Sequence, residues 1–135
     1  MRAAIAAMLC LASWTASAAE IPPGFRGVWG TYTSCPASAW RGVGQNDDDR
    51  LVQITAKSFL AFESGCDVRG VKTAKVLKNQ WGKVISPTEI TLSCSGEGLT
   101  ERVREIWDIN STVESDILSV QDAKTRKIST YYRCK

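Results

Sequence analysis

The chain reads as a small all-β protein, an antiparallel meander barrel of about eight strands with two disulfides, preceded by a signal-peptide helix. Three observations predict this. Short β-branched and aromatic runs recur at roughly 8 to 12 residue intervals with turn residues between them, the pattern of a sandwich or barrel. Four cysteines, Cys35, Cys66, Cys94 and Cys134, follow an N-terminus built like an export signal, so an oxidising compartment and paired thiols are expected. Closing the sheet on itself also removes exposed strand edges, which favours a barrel over an open sheet.

Residues 1–19 carry Arg2, an apolar run from Ala3 to Trp14 and the small residues Ser17-Ala18-Ala19, the three parts of a cleavable signal peptide. The run is short of the ~20 residues needed to cross a bilayer. The expectation is cleavage after Ala19 or Ala18, loss of Cys10 with the leader, and one β-barrel domain over residues 20–135 with no integral membrane span.

The strands follow in order. After Pro22 to Gly24, the segment Phe25–Thr33 is aromatic and β-branched and reads as the first strand, kinked or closely packed at Gly27 and Gly30. Pro36 to Asp49 is a long polar connection. Leu51–Thr55 and Ser58–Glu63 are short strands joined at Ala56-Lys57. A turn at Ser64-Gly65 leads into Asp67–Leu77, where Val68, Val71 and Val76 stand among basic neighbours, and Lys78-Asn79-Gln80 forms a further turn. Trp81–Ile85, Glu89–Cys94, Glu101–Asn110, Ile117–Val120 and Lys127–Cys134 complete the pattern. Val103, Ile106 and Ile109 also fit one face of a helix, but the β-rich surroundings favour a strand.

Four cysteines allow three pairings, and the strand order favours one. Cys66 begins one strand and Cys94 ends another, with the midpoint between them in the Asn79-Gln80 turn, so the two face each other if the arms form one hairpin. Cys35 and Cys134 end the first and last strands, which are neighbours in a closed meander. The expected bridges are therefore Cys35–Cys134 and Cys66–Cys94.

Composition narrows function. The chain has no histidine, which removes Ser-His and Cys-His nucleophile activation and the commonest base at neutral pH. The cysteines are 31, 28 and 40 residues apart, so a C-x-x-C redox site or a zinc knuckle is disfavoured. Residues 20–135 hold 16 Lys plus Arg against 14 Asp plus Glu, an interspersed balance that does not argue for nucleic acid. No catalytic residue, cofactor or metal is expected.

Candidate binding residues are few. Glu97, in Ser95-Gly96-Glu97-Gly98, could present a carboxylate on a tight turn, although a β-turn with glycines at positive φ accounts for the same residues. Glu63 stands at the rim beside Phe59-Leu60-Ala61-Phe62. Trp40, next to Arg41 in a polar loop, either packs over the barrel mouth or is exposed for binding. Asn46-Asp47-Asp48-Asp49 offers oxygen ligands suited to Ca²⁺ but lacks EF-hand spacing, so a solvated loop is expected there.

Gly27-Val28-Trp29 resembles the G-x-W signature of lipocalin-like and avidin-like small barrels, which implies a structural tryptophan closing one barrel end. The runs Trp29 to Cys35, Arg50 to Ile54, Phe59 to Cys66, Cys94 to Gly98 and Tyr132 to Cys134 together resemble uncharacterised small exported (periplasmic) disulfide-containing proteins of Gram-negative envelopes, a resemblance that implies no particular activity. Leu99 and Thr100 depart from that pattern, where such proteins often place an acidic residue and a tryptophan, and the departure bears on any site built around this turn. The expectation is a non-catalytic periplasmic or secreted binding module whose partner is a protein or small ligand of the cell envelope. The competing expectations are an inhibitor of an exported protease or lysozyme, and a structural envelope component.

Overall fold

The computed structural model describes residues 18–32, 35–36, 39, 48–78 and 81–135. The signal-peptide helix expected over residues 1–19, the greater part of the 36–49 connection with Trp40 and Arg41, and the turn residues Asn79 and Gln80 lie outside them. Among the described residues, all strands and both disulfides fall within residues 20–135, and the barrel closes with strands from that span.

Among the described residues the elements run from a 3₁₀ turn, Pro23–Phe25, through β1 Gly27–Gly30, β2 Leu51–Ile54, β3 Ser58–Ala61, β4 Ser64–Thr73, β5 Leu77–Lys78, β6 Val84–Ile85, β7 Thr88–Gly96, β8 Leu99–Ser111 and β9 Asp116–Asp122 to β10 Ile128–Arg133. Eight strands close into an antiparallel barrel in the order β1-β10-β9-β8-β7-β4-β3-β2, and β5 with β6 forms a separate two-stranded ribbon. Alternation decides what the barrel encloses. Along β7 the residues Ile90 and Leu92 are buried, and along β8 Trp107 is fully buried. The core joins these to Ile21, Phe25, Trp29, Val52, Ile54, Leu118 and Val120, with Phe59, Val103 and Tyr131 packed against them. The Trp107 ring meets Phe25 at 5.6 Å and Phe59 at 5.9 Å between centroids.

Antiparallel pairing throughout gives the barrel two distinct ends. At one end lie the 3₁₀ turn, the 55–57 and 112–115 turns and the 74–87 connection that carries the ribbon. Here Ile21 N donates to Ala56 O at 2.7 Å, Trp29 Nε1 donates to Phe25 O at 2.9 Å, and Trp29 is sealed from solvent. This tryptophan closes its end of the barrel. At the opposite end emerge the 31–50 connection and the 62–63, 97–98 and 123–127 turns.

Both bridges are the expected ones. Cys66 and Cys94 are register partners on β4 and β7. Cys35–Cys134 staples the β1–β10 seam, whose ladder consists of Trp29↔Arg133 and Gly30↔Tyr132, extended by Cys134 N donating to Val28 O at 2.9 Å. The shortest junction in the barrel is thus the one the longer-range disulfide reinforces.

Four boundaries differ from expectation by more than two residues or by a change of element. The first strand is Gly27–Gly30 and not Phe25–Thr33, because Pro23 starts a 3₁₀ turn that takes Phe25 into the core; Cys35 consequently lies beyond the strand. The β3–β4 turn falls at Phe62-Glu63 and not at Ser64-Gly65, since Ser64 and Gly65 already pair with Ala61 and Leu60. That register places Phe59 opposite Cys66 and Cys66 opposite Cys94, so long-range pairing overrides the local turn preference of Gly65. The expected strand Asp67–Leu77 stops at Thr73, where Ala74 N donates to Pro87 O at 2.8 Å; Pro87 has no N–H to extend the ladder, and the residues between become the ribbon. The expected strand Trp81–Ile85 is accordingly a turn at Trp81-Gly82, with Gly82 at φ 77°, followed by the short β6. Within β4, Arg69 is an extra residue between Val68↔Leu92 and Gly70↔Thr91, a bulge that lets Val68 and Val71 both pack on the core.

Candidate functional site

The sequence-selected residues that the structure describes gather at the end opposite Trp29. Ser64 pairs with Gly96 across β4 and β7, so the Phe62-Glu63 and Glu97-Gly98 turns stand side by side, each with its glutamate exposed. The contact is tight: a Cβ on Gly96 would lie 3.3 Å from both Glu63 O and Ser64 Cβ. The β7–β8 hairpin turns through two residues, and both have positive φ, Glu97 at 49° and Gly98 at 79°. This is the backbone of a type I′ turn, which favours Asn or Gly at the position Glu97 occupies. Glu63 also has positive φ, 55°. Two carboxylates thus occupy the left-handed region at adjacent turn tips.

The 31–50 connection, which contains Trp40 and Arg41, leaves and re-enters the barrel at this end. Its base is fixed by polar contacts. Arg50 Nε donates to Asp48 Oδ1 at 2.9 Å and Arg50 Nη2 to Asp48 Oδ2 at 3.1 Å, while Tyr32 Oη donates to Asp48 Oδ2 at 3.1 Å. The Arg50 guanidinium sits 4.7 Å from the centre of the Tyr32 ring. Hydrogen bonding from Arg50 holds the Asp48 carboxyl down at about 2. Burial, then the bond to Asp48, pushes the Tyr32 hydroxyl up. Asp48 oxygens are therefore directed at Arg50 and Tyr32, an arrangement that pins a loop, and among the described residues no group of three acidic, Cys or His side chains is placed to hold a metal.

Beneath the turn tips, inside the barrel, lie the Cys66–Cys94 bridge and a carboxylate that sequence reading passed over. Glu105 pairs with Ile90 on one side and Asp122 on the other, sharing the inward face of β8 with Val103 and Trp107. Trp107 Nε1 donates to Glu105 Oε2 at 2.8 Å. Burial pushes the Glu105 carboxyl above its ordinary range, the indole bond opposes the shift, and the nearby Asp122 charge adds to it. Tyr131 is raised in turn, by burial first and then by the Glu105 charge, with a Ser129 hydrogen bond working the other way. The signal for this cluster was present in Val103-Arg104-Glu105-Ile106-Trp107, where strict alternation puts Glu105 on the face of the buried tryptophan. Glu101, Arg102 and Arg104 beside it obscure that signal, because interspersed charges are also the mark of a solvated strand face.

Chemically, the end offers two exposed anions on rigid turns, a pinned loop base, and below them a carboxyl and a phenol in a largely apolar interior. The acids at the tips suit recognition of a cationic or hydrogen-bond-donating partner. Comparison with protein-family models, curated proteins and solved structures finds no match.

Proposed function

We propose that this protein is a non-catalytic binding module of the cell envelope, periplasmic or secreted, which engages its partner with the barrel end that carries Glu63 and Glu97. The observation that carries the reading is the unlikeness of the two ends. One is sealed by Ile21, Phe25 and Trp29. The other presents two carboxylates fixed on adjoining turns, next to a connection anchored through Asp48. The interior between them is packed with side chains including Trp29, Trp107, Ile90 and Leu92, which favours engagement by turns and loops over engulfing an apolar ligand. Two disulfides suit an oxidising compartment, and a chain without histidine lacks the usual apparatus for acyl transfer.

The inhibitor reading draws support from the same place. A hairpin tip with both central residues at positive φ is a preformed projection, and preformed loops lose little entropy on binding.

The test is affinity capture from envelope extract with residues 20–135 immobilised through the C-terminus, in parallel with an E63Q/E97Q double variant. A partner held by the native domain and lost by the variant is expected. Equal retention by both would place recognition elsewhere, and a hydrolytic activity of the purified domain abolished by E97Q would overturn the non-catalytic reading. If the captured partner is a protease or lysozyme whose turnover falls on binding, the inhibitor reading replaces the more general one.

A further inference from the structure

We propose that the β5–β6 ribbon docks the domain onto the surface of a membrane rich in anionic phospholipid. Between Asp67 and Glu89 the sequence places five cations, Arg69, Lys72, Lys75, Lys78 and Lys83, and not one acidic residue. Residues 20–135 have a net charge of +2, so everything outside this segment sums to −3. Arg69 and Lys72 lie 3.9 and 3.3 Å from the bounding acids Asp67 and Glu89, so the excess positive charge of the segment falls on Lys75, Lys78 and Lys83.

The structure gives that charge a shape. The segment leaves the barrel as a small ribbon, Leu77–Lys78 paired with Val84–Ile85, instead of adding to the closed sheet. Ile85 is half-buried, whereas three apolar residues in and beside the ribbon are exposed, Val76 at 64%, Val84 at 63% and Trp81 at 43%. At its root a groove of about 530 Å³ is lined by Lys72, Lys75, Val76, Ile106 and Arg126, with Glu89 the acid among them. Lys72 and Arg104 lie 3.3 and 3.7 Å from that acid, so the groove keeps a cationic character.

Lysines flanking an exposed tryptophan and two valines match a bilayer interface on two counts. Tryptophan settles at the headgroup level, where one side of the ring is apolar and the other wet. Basic side chains near an anionic leaflet gain from its surface potential. A soluble polyanion would use the lysines and leave Trp81, Val76 and Val84 without a role, so the apolar residues decide for the lipid surface. The geometry adds a consequence. The ribbon lies in the 74–87 connection, at the end of the barrel opposite Glu63 and Glu97, so a domain docked through it holds those carboxylates away from the bilayer.

The test is co-sedimentation of residues 20–135 with vesicles of phosphatidylglycerol and phosphatidylcholine, against phosphatidylcholine alone, at low and high salt. Binding is expected only to the anionic vesicles, with loss in high salt. A K75Q/K78Q/K83Q variant should bind on the order of 100-fold more weakly, from about one unit of surface attraction per lysine. W81A should lose about tenfold from withdrawn apolar area. Failure of the native domain to sediment with anionic vesicles overturns the proposal without reference to any variant's folding. Undiminished binding by W81A also overturns it and assigns the lysines to a soluble polyanion.

Discussion

Arg133 lies with its guanidinium carbon 4.1 Å from the centre of the Trp29 ring, and each of its nitrogens is engaged. Nε donates to Asp116 Oδ2 at 2.8 Å, Nη1 to Arg26 O at 2.9 Å and Nη2 to Gly24 O at 2.6 Å. One side chain from the last strand thus ties together the 3₁₀ turn, the first strand and the start of β9. Gly27, two residues before Trp29, makes room for it: φ is 135°, and a Cβ there would stand 3.2 Å from Arg133 Nη1. The G-x-W spacing has a physical cause here, with the glycine admitting the arginine that covers the tryptophan.

Removing that arginine should loosen the barrel seam. R133A is expected to lose about 2–4 kcal/mol of stability, combining charged hydrogen bonds with the stacked cation. R133K should recover little, because an ammonium cannot reproduce a planar fork that serves three acceptors. G27A should cost about 1–3 kcal/mol through its backbone angle. Denaturant unfolding with both disulfides intact measures all three, and full rescue by lysine would refute the geometric argument.

The two bridges should differ in weight. Cys35–Cys134 spans 99 residues and Cys66–Cys94 spans 28, so loop-closure entropy assigns them about 4.7 and about 3.6 kcal/mol. The C35S/C134S double variant should therefore unfold at lower denaturant than C66S/C94S. The β1–β10 ladder, with its two register pairs, offers little to compensate. A reversed order of midpoints would mean that strain or residual structure outweighs the entropy of closure.

Glu105 should make the fold less stable as pH rises. A carboxyl whose folded-state pKa lies above its ordinary value of 4.5 holds its proton more tightly in the native state than in the unfolded one. Below 4.5 both states are protonated and the residue is neutral in its effect; as pH climbs through the raised value, the native state must bury a charge. E105Q keeps an acceptor for Trp107 Nε1 and removes the charge, so it should be more stable than the native protein at pH 7, with the difference closing below pH 4.5. Parallel melts across pH 4 to 7 check this, and a constant offset would exclude titration of Glu105 as the cause.

Glu97 can be separated into backbone and side chain. E97N converts the turn to Asn-Gly, the preferred pair for a two-residue hairpin with both φ positive, and should raise stability by about 0.5–1 kcal/mol. If the carboxylate serves recognition as proposed, the same variant should lose captured partner while melting higher. A gain in stability with partner capture intact would leave Glu97 a turn residue only.

Much of the barrel was legible because its signals are local. Short β-branched and aromatic runs bounded by turn residues mark Leu51–Thr55, Glu89–Cys94 and Lys127–Cys134 as strands, and Ser95-Gly96-Glu97-Gly98 marks a turn, whatever the rest of the chain does. The disulfide pairing also followed, since a closed meander brings the first strand to the last and a hairpin centred on Asn79-Gln80 brings Cys66 opposite Cys94. Some features needed the closed structure. Alternation shows that Glu105 shares a face with Trp107, but only the closed barrel establishes that this face is the interior. Ser64-Gly65 looks more like a turn than Phe62-Glu63, and the register of β4 against both neighbours overrules it. The charge of residues 68–88 is visible in the sequence, whereas its placement on a ribbon opposite Glu63 and Glu97 depends on where Pro87 ends one ladder and the next begins. Alternation and turn chemistry are set by neighbours along the chain. Which face is inside, and which residues share an end, are set by closure, a property of all eight strands together.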